Sequence, residues 1–218
     1  EIALKKLLPK NGKNILDIGG GFGRLMPVYA KNFREITIFD LSSKMLQKAL
    51  ERAHFLNIKL NTQEGDVYSL SKYNLGHFDC VIMIRVSHHL DDLPKAFEEI
   101  SKILVSNGIF ILEFANKMHF KSFICNLVRL NFSYFDKSPI SKTAKETTFL
   151  NFHPKYVKKT LEKCGFGIEQ ILSVSNLRFK PIKKLLPLCV AIKIEDILQK
   201  PFSYFYFGPS IFVKCVKL

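Results

Sequence analysis

The chain has 218 residues, 47% hydrophobic and 24% charged, with a formal net charge of +14 at pH 7. That is enough apolar material for one core and too much for a disordered chain. Its five cysteines (Cys80, Cys125, Cys164, Cys189, Cys215) are an odd number with no C-x-x-C spacing, which argues against a disulfide framework, against a zinc site, and for a reducing cytoplasm.

The first informative stretch is NILDIGGGFGR, residues 14–24. Asn14 to Ile18 is short and apolar, which predicts a buried strand; Leu25 to Ala30 predicts a helix, with a tight loop between. Gly19, Gly20, Gly21 and Gly23 allow left-handed backbone and close approach of a ligand, although a purely structural turn would use them too. A dinucleotide fingerprint, G-x-G-x-x-G, fails: Arg24 and Met26 stand where its last glycine would fall. The pattern is D-x-G-x-G-x-G instead, and a carboxylate at Asp17 can hold a ligand ammonium group. A ligand with an amine, a carboxylate and a ribose fits best.

A second strand, 35–39, ends at Asp40, where a doubly wound sheet binds ribose hydroxyls. Asp40 could alternatively cap the next helix, although Ser42 or Ser43 could do so as well. That helix places Met45, Leu46, Ala49, Leu50 and Ala53 on one face. Asp66 closes a third strand (59–63), where it could accept from an adenine amino group with Val67 beside the ring. A fourth strand (78–84) precedes Arg85 and the pair His88-His89. Pro94 sits in the first turn of the next helix, Phe97, Ile100, Ile103 and Leu104 share a face, and Gly108 is the expected stop before a strand over 108–114. Strands over 167–174 and 210–217 complete the pattern, and the alternation of strand and helix predicts a parallel, doubly wound α/β sheet.

In this order, ILDIGGGFGR, DLSSKML, EGDVYSL, FDCVIMIRVSHHL, DDLPKAFEEISKIL and NGIFILEF resemble the class I S-adenosylmethionine-dependent methyltransferases, in particular their ubiquinone/menaquinone-biosynthesis-like type 11 group. The resemblance covers residues 14 to about 114 and extends more loosely to the end. It implies a Rossmann-like seven-stranded sheet of order 3-2-1-4-5-7-6 with strand 7 antiparallel. S-adenosylmethionine is the cofactor it implies, with Asp17 and the glycines at the methionine moiety, Asp40 at the ribose, Met45 and Val67 flanking the adenine, Asp66 at its amino group, and Leu41 as a further cofactor contact. Arg85 departs from the small or apolar residues usual there, and it is expected beside the cofactor, binding an anionic group of the substrate or a loop carbonyl. An N-terminal helical segment that helps close the site is also implied; because the chain opens at Glu1 rather than Met, as a fragment would, the expectation is that most of that segment is absent from it.

The expected organisation is one methyltransferase domain over 1–218, with substrate-side insertions at 115–152 and 177–208. Residues 1–110 carry a net charge of +3 and residues 111–218 a net charge of +11, so the basic excess lies in the substrate half. There Phe and Tyr interleave with Lys, which suits an acceptor roof, a dimer contact, a peripheral contact with an anionic membrane, or a solvated basic rim. No run of 18 apolar residues occurs; the longest candidate, 185–194, is broken by Pro187 and Lys193. The reading is methyl transfer to a small-molecule or lipid-like acceptor. RNA methylation, which the basic and aromatic interleaving would also suit, lacks its usual tetrapeptide after Asp79 and any Pro-Cys nucleophile; a non-catalytic cofactor-binding protein is the third alternative. The sulfonium methyl is already activated, so positioning dominates. His88 and His89 are the general-base candidates, with Glu113, Tyr134 and His153 behind them, and His153-Pro154 reads first as a helix start.

Overall fold

The computed structural model describes residues 1–144, 147–177 and 187–218. Its strands are β1 (Gly12–Ile18), β2 (Phe33–Asp40), β3 (Asn61–Glu64), β4 (Phe78–Met83), β5 (Leu104–Ala115), β6 (Ile140–Ala144), β7 (Thr147–Asn151), β8 (Phe166–Val174) and β9 (Ser210–Lys217). The helices are α1 (Ile2–Leu7), α2 (Met26–Tyr29), α3 (Ser43–Phe55), α4 (Leu93–Ile103), α5 (Phe120–Val128), α6 (Pro154–Lys163) and α7 (Leu188–Ser203).

Seven strands form one sheet in the order β3-β2-β1-β4-β5-β9-β8, and β6 pairs separately with β7. Counted within the sheet this is the expected 3-2-1-4-5-7-6, with β9 antiparallel to both β5 and β8. The order reverses between β1 and β4, which is where open α/β sheets form a ligand crevice at the carboxyl ends of their strands. Register brings the right residues there: Ile18 lies beside Phe39 and Met83, so the glycine loop, Asp40 and the segment after Met83 leave the sheet at one edge.

Both faces of the sheet are covered, as parallel strands require. Leu16, Ile18, Val81 and Met83 pack with Phe97 and Phe110 on one face. Ile15, Cys80 and Ile82 pack with Leu4, Met26 and Tyr29 on the other. All five cysteines are free thiols.

Several sequence expectations need correction. The third strand occupies 61–64, and the helix after the glycine loop is a single turn, Met26–Tyr29. Gly108 does not end α4; that helix stops at Ile103 and the chain enters β5 directly. Gly108 instead serves an irregularity in β5, where pairing with β4 jumps from Leu104 to Ile109 and a Cβ would stand 2.8 Å from the Val105 carbonyl oxygen. Leu50 is 45% exposed, because α3 buries only the stripe of Leu46, Ala49 and Ala53. Ser42 caps α3, accepting from the Met45 N–H, and His153 caps α6 with Pro154 in its first turn.

Residues 115–152 contribute α5, a short 3₁₀ turn (Phe132–Phe135) and the β6–β7 pair. Of the segment 177–208, residues 178–186 lie outside the described residues; α7 occupies most of the remainder. Among the described residues, no helix is long and apolar enough to cross a membrane.

Candidate active site

The glycine loop is tightly specified. Gly19, Gly21 and Gly23 have φ of +65°, +54° and +73°, a backbone that side chains resist. A Cβ on Gly19 would stand 2.2 Å from Val86, so the segment after β4 packs directly on the loop. Gly20 is needed for space: its Cβ would come within 2.9 Å of the Asp17 carboxyl. The Gly19 N–H donates to the Phe39 carbonyl at 2.7 Å, fixing the loop to the end of β2.

Asp17, at the end of β1, is 2% exposed, and the Tyr29 hydroxyl donates to its Oδ2 at 2.9 Å. Burial pushes its carboxyl up to about 7, against the Tyr29 hydrogen bond and the Arg24 charge, which pull it down. Such a group gains strongly from a cation. Asp40 is half-buried; its Oδ2 accepts from the Gly21 N–H and its Oδ1 from the Ser42 N–H, both at 2.9 Å. A carboxylate has about four acceptor positions, so roughly half remain for ligand hydroxyls. Asp66 is exposed and caps the 3₁₀ turn Val67–Tyr73 by accepting from the Tyr68 N–H at 3.0 Å, with Val67 buried behind it. Leu41 is 71% exposed, and the Met45 methyl borders Gly21, 3.4 Å from where a Cβ would sit.

Beside this cleft lies a cavity of about 1040 Å³. Ile84, Arg85 and His88 reach it from the end of β4, Glu113 from β5 and Phe149 from β7. His88 is buried and stacks on Phe149 with ring centroids 3.9 Å apart. Burial, with the neighbouring His89 and Arg85, lowers its pKa to about 4, so its imidazole is neutral at pH 7. His89 is exposed and does not line the cavity. Glu113 accepts from the Arg85 N–H at 2.8 Å and from the Ser210 hydroxyl. The two roof candidates do other work: the Tyr134 hydroxyl donates to the Lys117 carbonyl, and His153 Nδ1 accepts from the Lys155 N–H.

Residues 16–112 match the family model of a methyltransferase domain. The ubiquinone biosynthesis O-methyltransferase of Coxiella burnetii is 22% identical over 180 residues, covering 83% of this chain and 73% of that protein. That of Psychrobacter arcticus is 29% identical over 108 residues, covering 49% of this chain and 42% of that protein. Among solved structures, an S-adenosylmethionine-dependent methyltransferase from Mesorhizobium loti superposes with a TM-score of 0.65 at 17% identity, covering 99% of this chain and 96% of the other. Magnesium protoporphyrin IX methyltransferase from Synechocystis, with bound SAH, gives 0.62 at 17% identity, covering 95% and 75%. The chain carries a methyltransferase domain over residues 16–112, and it is similar in sequence and fold to S-adenosylmethionine-dependent methyltransferases.

The site of this methyltransferase fits S-adenosylmethionine by its own chemistry. A buried carboxyl at Asp17 suits an ammonium group, Asp40 retains acceptor capacity for hydroxyls, and a Cβ at Gly21 would occupy the space between the Met45 methyl and Asp40 Oδ2, 3.4 and 4.0 Å away. Asp17, the four glycines, Asp40, Leu41 and Met45 come together around the end of β1, and Asp66 and Val67 follow at the end of β3. Arg85 and His88 sit across the crevice at the end of β4. Sequence reasoning missed Tyr29, the partner of Asp17, and Arg24 as a cavity residue. It also missed the Glu113–Ser210 contact and Phe149 over His88, both brought together only by tertiary packing.

Proposed function

We propose that this methyltransferase transfers a methyl group to a hydroxyl of a small-molecule or lipid-like acceptor held in the cavity beside the glycine loop. The carrying observation is that this cavity, of ligand size, is lined by Arg24 and Leu25, which follow the glycine loop in the chain, and by His88 after β4. The curated relatives named as O-methyltransferases support an oxygen acceptor. Asp17 and Gly19, Gly20, Gly21 and Gly23 hold the amine and methionyl part of the cofactor, and Asp40 its ribose. Met45 and Val67 flank the adenine, Asp66 meets its amino group, and Leu41 adds a contact to the cofactor.

S-adenosylmethionine supplies a methyl group activated on a sulfonium sulfur; the protein aligns the acceptor with it and excludes water. His88, neutral and fixed by its stack on Phe149, accepts a hydrogen bond from the acceptor hydroxyl. As the oxygen–methyl bond forms, that proton becomes far more acidic than an imidazolium, so even a weakly basic histidine takes it. His89 faces away from this role.

The largely apolar lining suits an acceptor with a substantial hydrocarbon body, and exposed apolar residues of two helices suit a peripheral contact with an anionic membrane. α5 buries none of its residues and exposes Phe120, Phe123, Ile124, Leu127 and Val128, while Val190, Ile192 and Ile197 of α7 are also exposed beside Lys193.

Product analysis after incubation with methyl-labelled S-adenosylmethionine and a panel of phenols, catechols and isoprenoid phenols tests the reading. Label is expected in an ether product, with His88→Ala lowering kcat by about 10²-fold and leaving cofactor affinity in place. Label in RNA but in no small molecule would contradict it. Co-sedimentation with phosphatidylglycerol vesicles, but not with phosphatidylcholine vesicles, is the expected membrane result.

A further inference from the structure

Arg85 combines a strained backbone with a charge that has no partner among the described residues. Its φ is +63°, in the left-handed region where a side chain is costly, and the Glu113 carboxylate holds it there by accepting its N–H at 2.8 Å. The same carboxylate accepts from Ser210, and Ser87 Oγ donates to the Glu113 carbonyl at 2.9 Å, so three segments brace this one residue. Arg85 lines the cavity, and among the described residues its guanidinium has no hydrogen-bond or ion-pair partner. Arg24, which also lines the cavity, likewise has none.

The acidic residues of the cavity do not answer these charges. Glu113 is committed to Arg85 N–H and Ser210, and Glu195 accepts from the N–H groups of Asn176 and Leu177 and from the Asn176 side chain. The third, Glu1, is exposed. Much of the remaining wall is apolar, with Leu25, Ile84, Phe149, Ile192 and Phe212 among it. A largely apolar cavity with Arg85 in its wall, its guanidinium without a partner among the described residues, complements a ligand with an apolar body and an anionic end.

We propose that Arg85 is a specificity-determining residue that selects an acceptor carrying an anionic oxygen group, a carboxylate or a phosphate, on an aromatic or otherwise apolar body. The inference rests on the acceptor reading of the cavity given above. It assigns the Arg85 side chain to the acceptor, while Asp17 and the glycine loop serve the cofactor.

The test titrates 6-hydroxy-2-naphthoate, its neutral amide and 2-naphthyl phosphate into the full chain, with and without S-adenosylhomocysteine, for the wild type, Arg85→Gln and Arg85→Lys. At least one anion is expected to bind at least tenfold tighter than the amide, and the preferred one distinguishes carboxylate from phosphate recognition. Arg85→Gln removes that preference, Arg85→Lys keeps part of it, and neither changes S-adenosylhomocysteine affinity more than twofold. Equal affinity for anions and amide, no saturable anion binding, or a preference that survives in Arg85→Gln would overturn the proposal. So would a loss of S-adenosylhomocysteine affinity in Arg85→Gln matching the loss for the anion, because the guanidinium would then serve the cofactor's own carboxylate. Failure of the wild type to bind S-adenosylhomocysteine counts against the cofactor assignments instead, and the ligand-free titrations still decide the anion preference.

Discussion

At the residue scale, Asp17, the proposed partner of the cofactor's ammonium group, is held in a costly buried state in the ligand-free protein. Its carboxyl stands at about 7 in the folded protein against 3.8 ordinarily, so between roughly pH 4 and 7 the folded protein holds a proton that the unfolded chain has lost. Stability of the ligand-free protein therefore falls as pH rises through that window, and the full cost is present above pH 7. Asp17→Asn is expected to flatten this slope and to raise the melting temperature of the ligand-free protein at pH 8, while weakening cofactor binding. Melting curves from pH 4 to 8 check this; a mutant less stable than wild type at pH 8 would contradict it. In the wild type, affinity for S-adenosylmethionine should fall as pH drops below 7, because the ammonium group must displace the Asp17 proton.

His88 has the opposite shift, and it too follows from burial. With a pKa near 4, the imidazole stays neutral through the physiological range, so its protonation sets no acid limb on kcat above about pH 5 at saturating cofactor. A kcat that fell with an apparent pKa of 6 to 7 would point to a different group. Arg85 offers a stability test: Arg85→Gly removes a left-handed side chain and should leave the protein as stable as wild type or up to about 1 kcal/mol more stable in urea unfolding.

At the scale of elements, the strand–loop–helix units were legible because each rests on local pattern. Asn14–Ile18 could be read from its apolar run, α4 from Pro94 and the stripe of Phe97, Ile100 and Ile103, and the caps at Ser42 and His153 from side-chain chemistry. Gly108 was misread because a helix stop and a strand irregularity both call for glycine, and only the pairing of β5 with β4 separates them. Leu50 was misread because periodicity gives a face without giving its width. The Phe149–His88 stack joins residues far apart in sequence, and no spacing announces it. The glycine loop yields its own prediction: Gly20→Ala crowds Asp17 and Ile38 at 2.9 and 3.0 Å without requiring positive φ, so it should weaken S-adenosylhomocysteine binding at least tenfold in a folded protein. Unchanged affinity in that variant would mean that the loop is not the cofactor's seat.

At the scale of the whole molecule, the two halves of the sheet divide the labour. The β3-β2-β1 side carries the glycine loop and the three acidic strand ends, while the β4-β5-β9-β8 side, with α1 and α7, carries the cavity. The charge asymmetry follows the same division, with the large basic excess in residues 111–218. The proposed cofactor half was readable because its residues come from short motifs in sequence order; the cavity was not, because its wall is gathered from segments spread along the chain, both ends included.

The central claim, that Asp17, Asp40 and the glycine loop form the S-adenosylmethionine site, is tested most directly by calorimetric titration of S-adenosylhomocysteine into the wild type and Asp40→Ala. Micromolar binding at one site, weakened at least tenfold in the variant while its melting temperature is retained, is the predicted result. Equal affinity in the two proteins, or no binding by a folded wild type, would contradict the account.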